Sequence, residues 1–150
     1  TFTEYYQDGV TPRKETPMQQ GKINGTVKTY FRNGKIETEK EYRQSVESGW
    51  ECRFDSKTGE QIFKSHYIDG KKEGEEWEIL EDGRTLRNRT TRHYRNGKLD
   101  GSYRVESTRD GKPYITIEGQ YTDGEKSGQW IEHNYDNNTQ TCTWHGEGGA

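Results

Sequence analysis

Three features of the sequence predict an all-β fold: an elongated, twisted antiparallel meander of stacked β-hairpin repeats. The first is a phrase that returns along the chain. It reads Tyr67-Ile68-Asp69-Gly70-Lys71-Lys72-Glu73-Gly74, then Tyr94-Arg95-Asn96-Gly97-Lys98-Leu99-Asp100-Gly101, then Tyr121-Thr122-Asp123-Gly124-Glu125-Lys126-Ser127-Gly128. Its closing glycines, with weaker copies upstream, are Gly25, Gly49, Gly74, Gly101 and Gly128, spaced by 24, 25, 27 and 27 residues. A fixed period of this length marks a repeat architecture, here about six repeats within a single domain covering residues 1–150. The second feature is the recurrence of Asn-Gly and Asp-Gly, the strongest short hairpin signals, because a type I′ turn needs positive φ at both central residues. The third is alternation with period 2, and no apolar pattern of helical period.

Taken in order, the elements follow from these signals. The opening stretch carries Asp8-Gly9 and a divergent segment, Thr11 to Pro17, read as a cap on the array. Met18 takes the place of the repeat tyrosine before Gln20-Gly21. Val27, Thr29 and Phe31 then alternate with Thr26, Lys28 and Tyr30 up to Asn33-Gly34. Tyr42 precedes Ser45, which stands where other repeats have glycine. Trp50, Cys52 and Phe54 alternate with Glu51, Arg53 and Asp55, ahead of Thr58-Gly59. Later strands put Trp77 and Ile79 against Glu76, Glu78 and Leu80, and Ile115, Ile117, Gly119 and Tyr121 against Thr116, Glu118 and Gln120. Asp82-Gly83 and Asp110-Gly111 supply further turns. Short connections make successive strands antiparallel neighbours, giving about a dozen strands.

Composition narrows the function. Only 25% of residues are hydrophobic and 33% are charged, yet 12% are aromatic. That balance suits a thin structure in which each repeat buries its aromatics against its neighbours. Basic and acidic residues number 23 and 26, are mixed along the chain, and leave a net charge of −3. No basic stripe is present to neutralise phosphates, so nucleic acid is not an expected partner. No apolar run reaches membrane-spanning length, and no signal peptide is visible. The chain opens on Thr1 rather than Met, which leaves room for a leader upstream. The compartment is therefore open: cytoplasm, or periplasm and outer membrane behind a removed leader. Cys52 and Cys142 lie more than three repeats apart, roughly 30 Å in a hairpin stack, so no intramolecular disulfide is expected.

Residues Gly25 to Lys35, with Tyr30, Asn33 and Gly34, together with Tyr94 to Gly101 and Tyr121 to Gly128, resemble MORN repeats, in particular the bacterial variant form. The resemblance runs from about Phe2 to Tyr135. Ser45, the Thr11–Pro17 stretch and the chain after Tyr135 depart from the pattern. What the resemblance implies is an elongated sheet of hairpins without catalytic activity. Similar bacterial proteins are often labelled antitoxins or immunity proteins, others are exported envelope proteins, and eukaryotic relatives act as scaffolds.

Individual residues fit a binding module better than an enzyme. Tyr42, Tyr67, Tyr94 and Tyr121 keep a fixed phase with the glycines, as rings packed over glycine backbone do. Trp50, Trp77, Tyr103 and Trp130 follow the repeat glycines closely. They are read as cross-strand packing and, with Trp144, as candidate partner contacts. Trp130 and Trp144 are the pair expected to be most exposed. His133, Cys142 and His145 are the nearest thing to a metal group, but their spacing matches no zinc pattern. The acidic run Glu73, Glu75, Glu76, Glu78, Glu81 and Asp82 reads as a solvated face. No calcium loop, phosphate loop or nucleophile motif occurs, and no cofactor is expected. The predicted function is non-catalytic binding of another protein, a toxin or a component of an envelope assembly. Two routes are open: pairing of a terminal strand with a partner's edge, or docking on a broad face. The face is preferred. Thr29, Arg53, Glu78, Val105 and Glu132 all lie four residues after a repeat glycine and differ in chemistry, as specificity positions would.

Overall fold

A computed structural model of the chain describes residues 1–81, 87–109 and 111–146. Asp82-Gly83 and Asp110 lie outside the described residues. The fold is all-β, an antiparallel meander of successive hairpins that does not close on itself, with no helix among the described residues. Two compact units divide it, Thr1–Lys72 and Glu73–Ala150.

In the first unit, β1 (Phe2–Tyr5), β2 (Pro12–Thr16), β5 (Gly25–Tyr30), β6 (Ile36–Arg43), β7 (Val46–Phe54) and β8 (Gln61–Ile68) pair in that order. The short β9 (Lys71–Lys72) returns along β8, while β3 (Met18–Gln19) and β4 (Lys22–Ile23) form a ladder of their own. In the second unit, β10 (Gly74–Glu81), β11 (Arg87–Arg95), β12 (Lys98–Arg109), β13 (Lys112–Thr122), β14 (Glu125–Asn134) and β15 (Thr139–His145) follow one another as neighbours.

The turns fall into two kinds, a refinement of the expectation that all the glycine pairs do one job. Asp69-Gly70, Asn96-Gly97, Asp123-Gly124 and Gln20-Gly21 have positive φ at both residues, as the two-residue I′ turn requires. Gln44-Ser45 does so as well, without a glycine. At Asp8-Gly9, Asn33-Gly34 and Thr58-Gly59 only the glycine is left-handed, and the loops are longer. Their side chains explain the difference. Asp8 accepts the amides of Val10 and Thr11, Asn33 that of Lys35, and Asp55 those of Lys57 and Thr58. Asx turns of this kind fold the longer loops.

Adjacent I′ turns are stitched together. The amides of Ser45, Gly70 and Gly124 donate to the carbonyls of Ile23, Glu47 and Leu99, one hairpin back, at 2.7–2.8 Å. Side chains add to this. Asn24 accepts the Gln44 amide, Glu73 that of Asn96 and Asp100 that of Asp123. Each donor would otherwise be an unpaired turn amide.

The repeat phrase now has a structural meaning. Tyr42, Tyr67, Tyr94 and Tyr121 stand directly opposite Gly25, Gly49, Gly74 and Gly101. The tyrosine therefore faces the closing glycine of the preceding repeat, not its own. Three of the glycine positions also carry an unusual bulge, with three residues facing one. Ser48-Gly49-Trp50 face Glu41, Asp100-Gly101-Ser102 face His93, and Gly128-Gln129-Trp130 face Gly119. At Gly49 the backbone takes φ 112° and a Cβ would lie 1.9 Å from the Glu41 carboxylate. Only glycine fits there. The Glu41 oxygen uses that space to accept the Trp50 amide at 2.6 Å.

Candidate functional site

Directly opposed residues of an antiparallel ladder project to the same side, and side chains alternate along each strand. Each unit therefore has a tyrosine face, holding the repeat tyrosines, and a second face. In the first unit the rows Val27-Lys40-Glu51-Ser65 and Thr29-Thr38-Arg53-Phe63 lie on the tyrosine face. In the second unit Glu76-Arg92-Tyr103-Gly119 and Glu78-Thr90-Val105-Ile117-Glu132-Thr141 do. The other face carries Trp50 and His66 in the first unit, and Trp77-Thr91-Arg104-Glu118-Ile131-Cys142 in the second. We call it the tryptophan face.

Most of the core sits on the tyrosine face. Val27, Phe63 and Ser65 are buried in the first unit. There Lys40 lies 4.8 Å from the Tyr67 ring and 3.1 Å from Glu47, and Arg53 stacks on Phe63 at 4.2 Å. In the second unit Trp130 is only 7% exposed, which corrects the expectation that it would be among the most exposed. The cause is Gly119. A Cβ there would come 2.2 Å from the indole, so the missing side chain makes the seat for the ring. The Trp130 Nε1–H donates to the Gln120 carbonyl at 3.0 Å. Tyr103, Tyr121 and Lys126 surround the indole. Beside this cluster Glu76 is 1% exposed and accepts Arg92 Nε at 2.6 Å. Burial pushes the Arg92 pKa down, but the hydrogen bond and charge of Glu76 outweigh it and hold the guanidinium above its ordinary range. The acidic run is thus not wholly a solvated face.

The five aromatic candidates divide between the faces. Tyr103 and Trp130 belong to the packed tyrosine face. Trp77 is half-buried under Arg89 on the tryptophan face, while Trp50 and Trp144 are 45% and 49% exposed. Distance from the repeat glycine could have shown this. Trp50 and Trp77 follow their glycines by odd offsets, Tyr103 and Trp130 by even ones. The positions Thr29, Arg53, Glu78, Val105 and Glu132 fall into common rows within each unit, all on the tyrosine face. Arg53 and Val105 are partly engaged in packing there.

The tryptophan face of the second unit holds an open depression of about 360 Å³. Glu75, His93, Ser102, Arg104, Glu118 and Gln129 line it, with Ile131 among them. Of these the sequence analysis named only Glu75, in the acidic run, and Glu118, in an alternating strand, and neither as part of a site. The bulges at Gly101 and Gly128 make the hollow by diverting strand residues. His93 Nε2 lies 3.6 Å from Glu75, and its Nδ1 lies 3.1 Å from the Ser102 hydroxyl. This has the outline of a Ser-His-Glu relay. However, Nδ1 is also 3.1 Å from the Ser102 carbonyl, an acceptor that favours a proton on that nitrogen. A protonated Nδ1 cannot take the hydroxyl proton. The arrangement binds three strands together and presents polar groups. His133 pairs with Glu118 at 3.6 Å and Arg104 with Glu106 at 2.7 Å. Trp144 stands opposite Gln129, one of the lining residues.

Both cysteines are free thiols, Cys52 buried and Cys142 exposed. Burial pushes the Cys52 thiol up in pKa. Among the described residues no three His, Cys, Asp or Glu side chains gather closely enough to hold a metal ion, and no helix is long and apolar enough to cross a membrane. Comparison with protein families, curated proteins and solved structures finds no significant match to this chain.

Proposed function

We propose that this chain is a non-catalytic protein-binding repeat module that docks its partner on the tryptophan face of the second unit. The observation that carries the reading is Trp144, half-exposed and standing opposite Gln129, which lines the hollow together with Glu75, Arg104 and Glu118. An exposed indole beside charged groups is the usual make-up of an interface anchor and its polar surround. The open, shallow hollow suits a protruding side chain of a protein better than an enclosed small molecule. The resemblance to bacterial MORN-type proteins supports the finer reading of an antitoxin or immunity protein; the envelope scaffold is its alternative.

Capture from native cells tests this, comparing the tagged chain with Trp77→Ala/Glu118→Arg. The expected result is one stoichiometric partner, toxic when expressed alone, whose affinity the double variant lowers by more than about tenfold. Recovery of several envelope proteins instead would favour the scaffold. Partner binding that the double variant leaves unchanged would sink the assignment of the face.

A further inference from the structure

β15 is the last strand in the order of the described sheet. β15 (Thr139–His145) pairs with β14 along seven consecutive residues without a register shift. No described strand pairs with its other side. Six of its seven residues are exposed. Sheet edges are ordinarily protected by charges, proline, bulges or short length. β15 has none of these. It reads Thr-Gln-Thr-Cys-Thr-Trp-His, and among the described strands longer than two residues it alone lacks Lys, Arg, Asp and Glu. In a chain that is 33% charged this is a local exception. The other open edge, β1, is four residues long and carries Glu4, which pairs with Arg13.

We infer that β15 is a self-association strand that pairs antiparallel with β15 of a second copy, about a two-fold axis at Cys142. The sequence of the strand selects this occupant. Cys142 is its central residue. Pairing about it places Thr141 opposite Thr143 of the second copy, Gln140 opposite Trp144, and Thr139 opposite His145. Facing threonines pair favourably across strands, and no like formal charges meet at neutral pH. A neutral strand offers a charged partner no complementarity, whereas it meets its own copy without repulsion. A two-fold contact is also the commonest way for a chain to associate with itself. Paired strands would carry each tryptophan face on into that of the other copy, with Cys142 and Trp144 at the junction.

The register is open to a strict test. Facing residues of an antiparallel pair have Cα atoms about 4.5–5.5 Å apart, within disulfide reach. Mild oxidation with diamide would therefore join two chains through Cys142 and reduce the diamide to its hydrazine. Buried Cys52 serves as the internal control. Sedimentation equilibrium in reductant, taken to the high concentrations that a small interface needs, should show reversible dimers. T141K/T143K sets like charges opposite each other and should weaken association by at least about tenfold. T141K/T143E, altered at the same two positions, sets opposite charges face to face and should restore it, which separates lost pairing from misfolding. The cross-link should vanish in C142S and persist in C52S. A wild-type chain monomeric at every concentration and without a Cys142 cross-link would overturn the inference. So would a dimer that T141K/T143K leaves intact, or one that forms no Cys142 cross-link. The inference shares Trp144 with the partner-binding face, but the two tests are separate, because Trp77→Ala/Glu118→Arg leaves β15 unaltered.

Discussion

Single residues decide how this apolar-poor chain holds a core. Trp130 is buried because Gly119, one strand away, has no side chain. Gly119→Ala should overpack the site and cost about 3 kcal/mol, read as a lowered urea midpoint with unchanged slope. Glu76, two residues after Gly74, puts a charged pair in the place that Tyr103 and Trp130 hold after Gly101 and Gly128. Glu76→Ala strands the Arg92 guanidinium. Breaking such a pair costs about 3–5 kcal/mol, and the contact of Arg92 with Glu78 at 3.6 Å sets the loss at the lower end. Denaturant unfolding of Glu76→Ala beside Arg92→Ala checks this, and both should be destabilised. The two thiols should also behave differently. Cys142 is exposed, while Cys52 is buried and pushed up by desolvation. A thiol reagent near pH 8 should modify Cys142 in the native protein and reach Cys52 only with unfolding.

The I′ turn is the element that repeats most faithfully, and its one deviant copy is instructive. Ser45 holds φ 64°, a left-handed value that strains a residue with a side chain. Its hydroxyl compensates by accepting the Ile23 amide at 2.9 Å, across to the preceding turn. Ser45→Ala keeps the strain and loses the bond, and should cost about 1 kcal/mol. Ser45→Gly loses both together and should be close to neutral. Thermal unfolding of the two variants side by side decides whether the stitch between turns matters as argued. The longer loops work through carboxylates instead. Asp8 and Asp55 sit below the ordinary carboxylate range, Asp8 chiefly through the Thr11 hydroxyl, Asp55 through the Thr58 and Lys57 amides.

For the whole molecule the pH dependence follows from groups shifted in opposite directions. Cys52, Tyr30 and Tyr121 are all pushed up, burial being the largest cause in each. The native chain keeps protons that the unfolded chain gives up, so their contribution is complete below the ordinary thiol and phenol ranges. It is lost as the pH rises through the raised native values. Asp8 and Asp55 are lowered, so their contribution is present above the ordinary carboxylate range and lost as the pH falls through the native values. Stability should therefore be greatest near neutrality and fall on both sides. Urea midpoints at pH 2, 7 and 10 test this. Cys52→Ser should flatten the alkaline limb, since a serine does not titrate there.

By itself the sequence determined the repeat period, the all-β meander and the left-handed glycines of its turns. It also singled out the repeat tyrosines and glycines, but not which glycine each tyrosine faces. Those properties are local: a dihedral preference at Asn96-Gly97 or an alternation around Trp77 is encoded within a few residues. Tertiary structure decided which side chains meet. It put Tyr67 opposite Gly49 rather than Gly74, seated Trp130 on Gly119, and brought His93, Ser102 and Glu75 together over a hollow that no single strand encodes. The reason is register. Bulges at Gly49, Gly101 and Gly128 shift each strand against its neighbour, and a shift changes which residues face one another without changing the preference of any residue on its own.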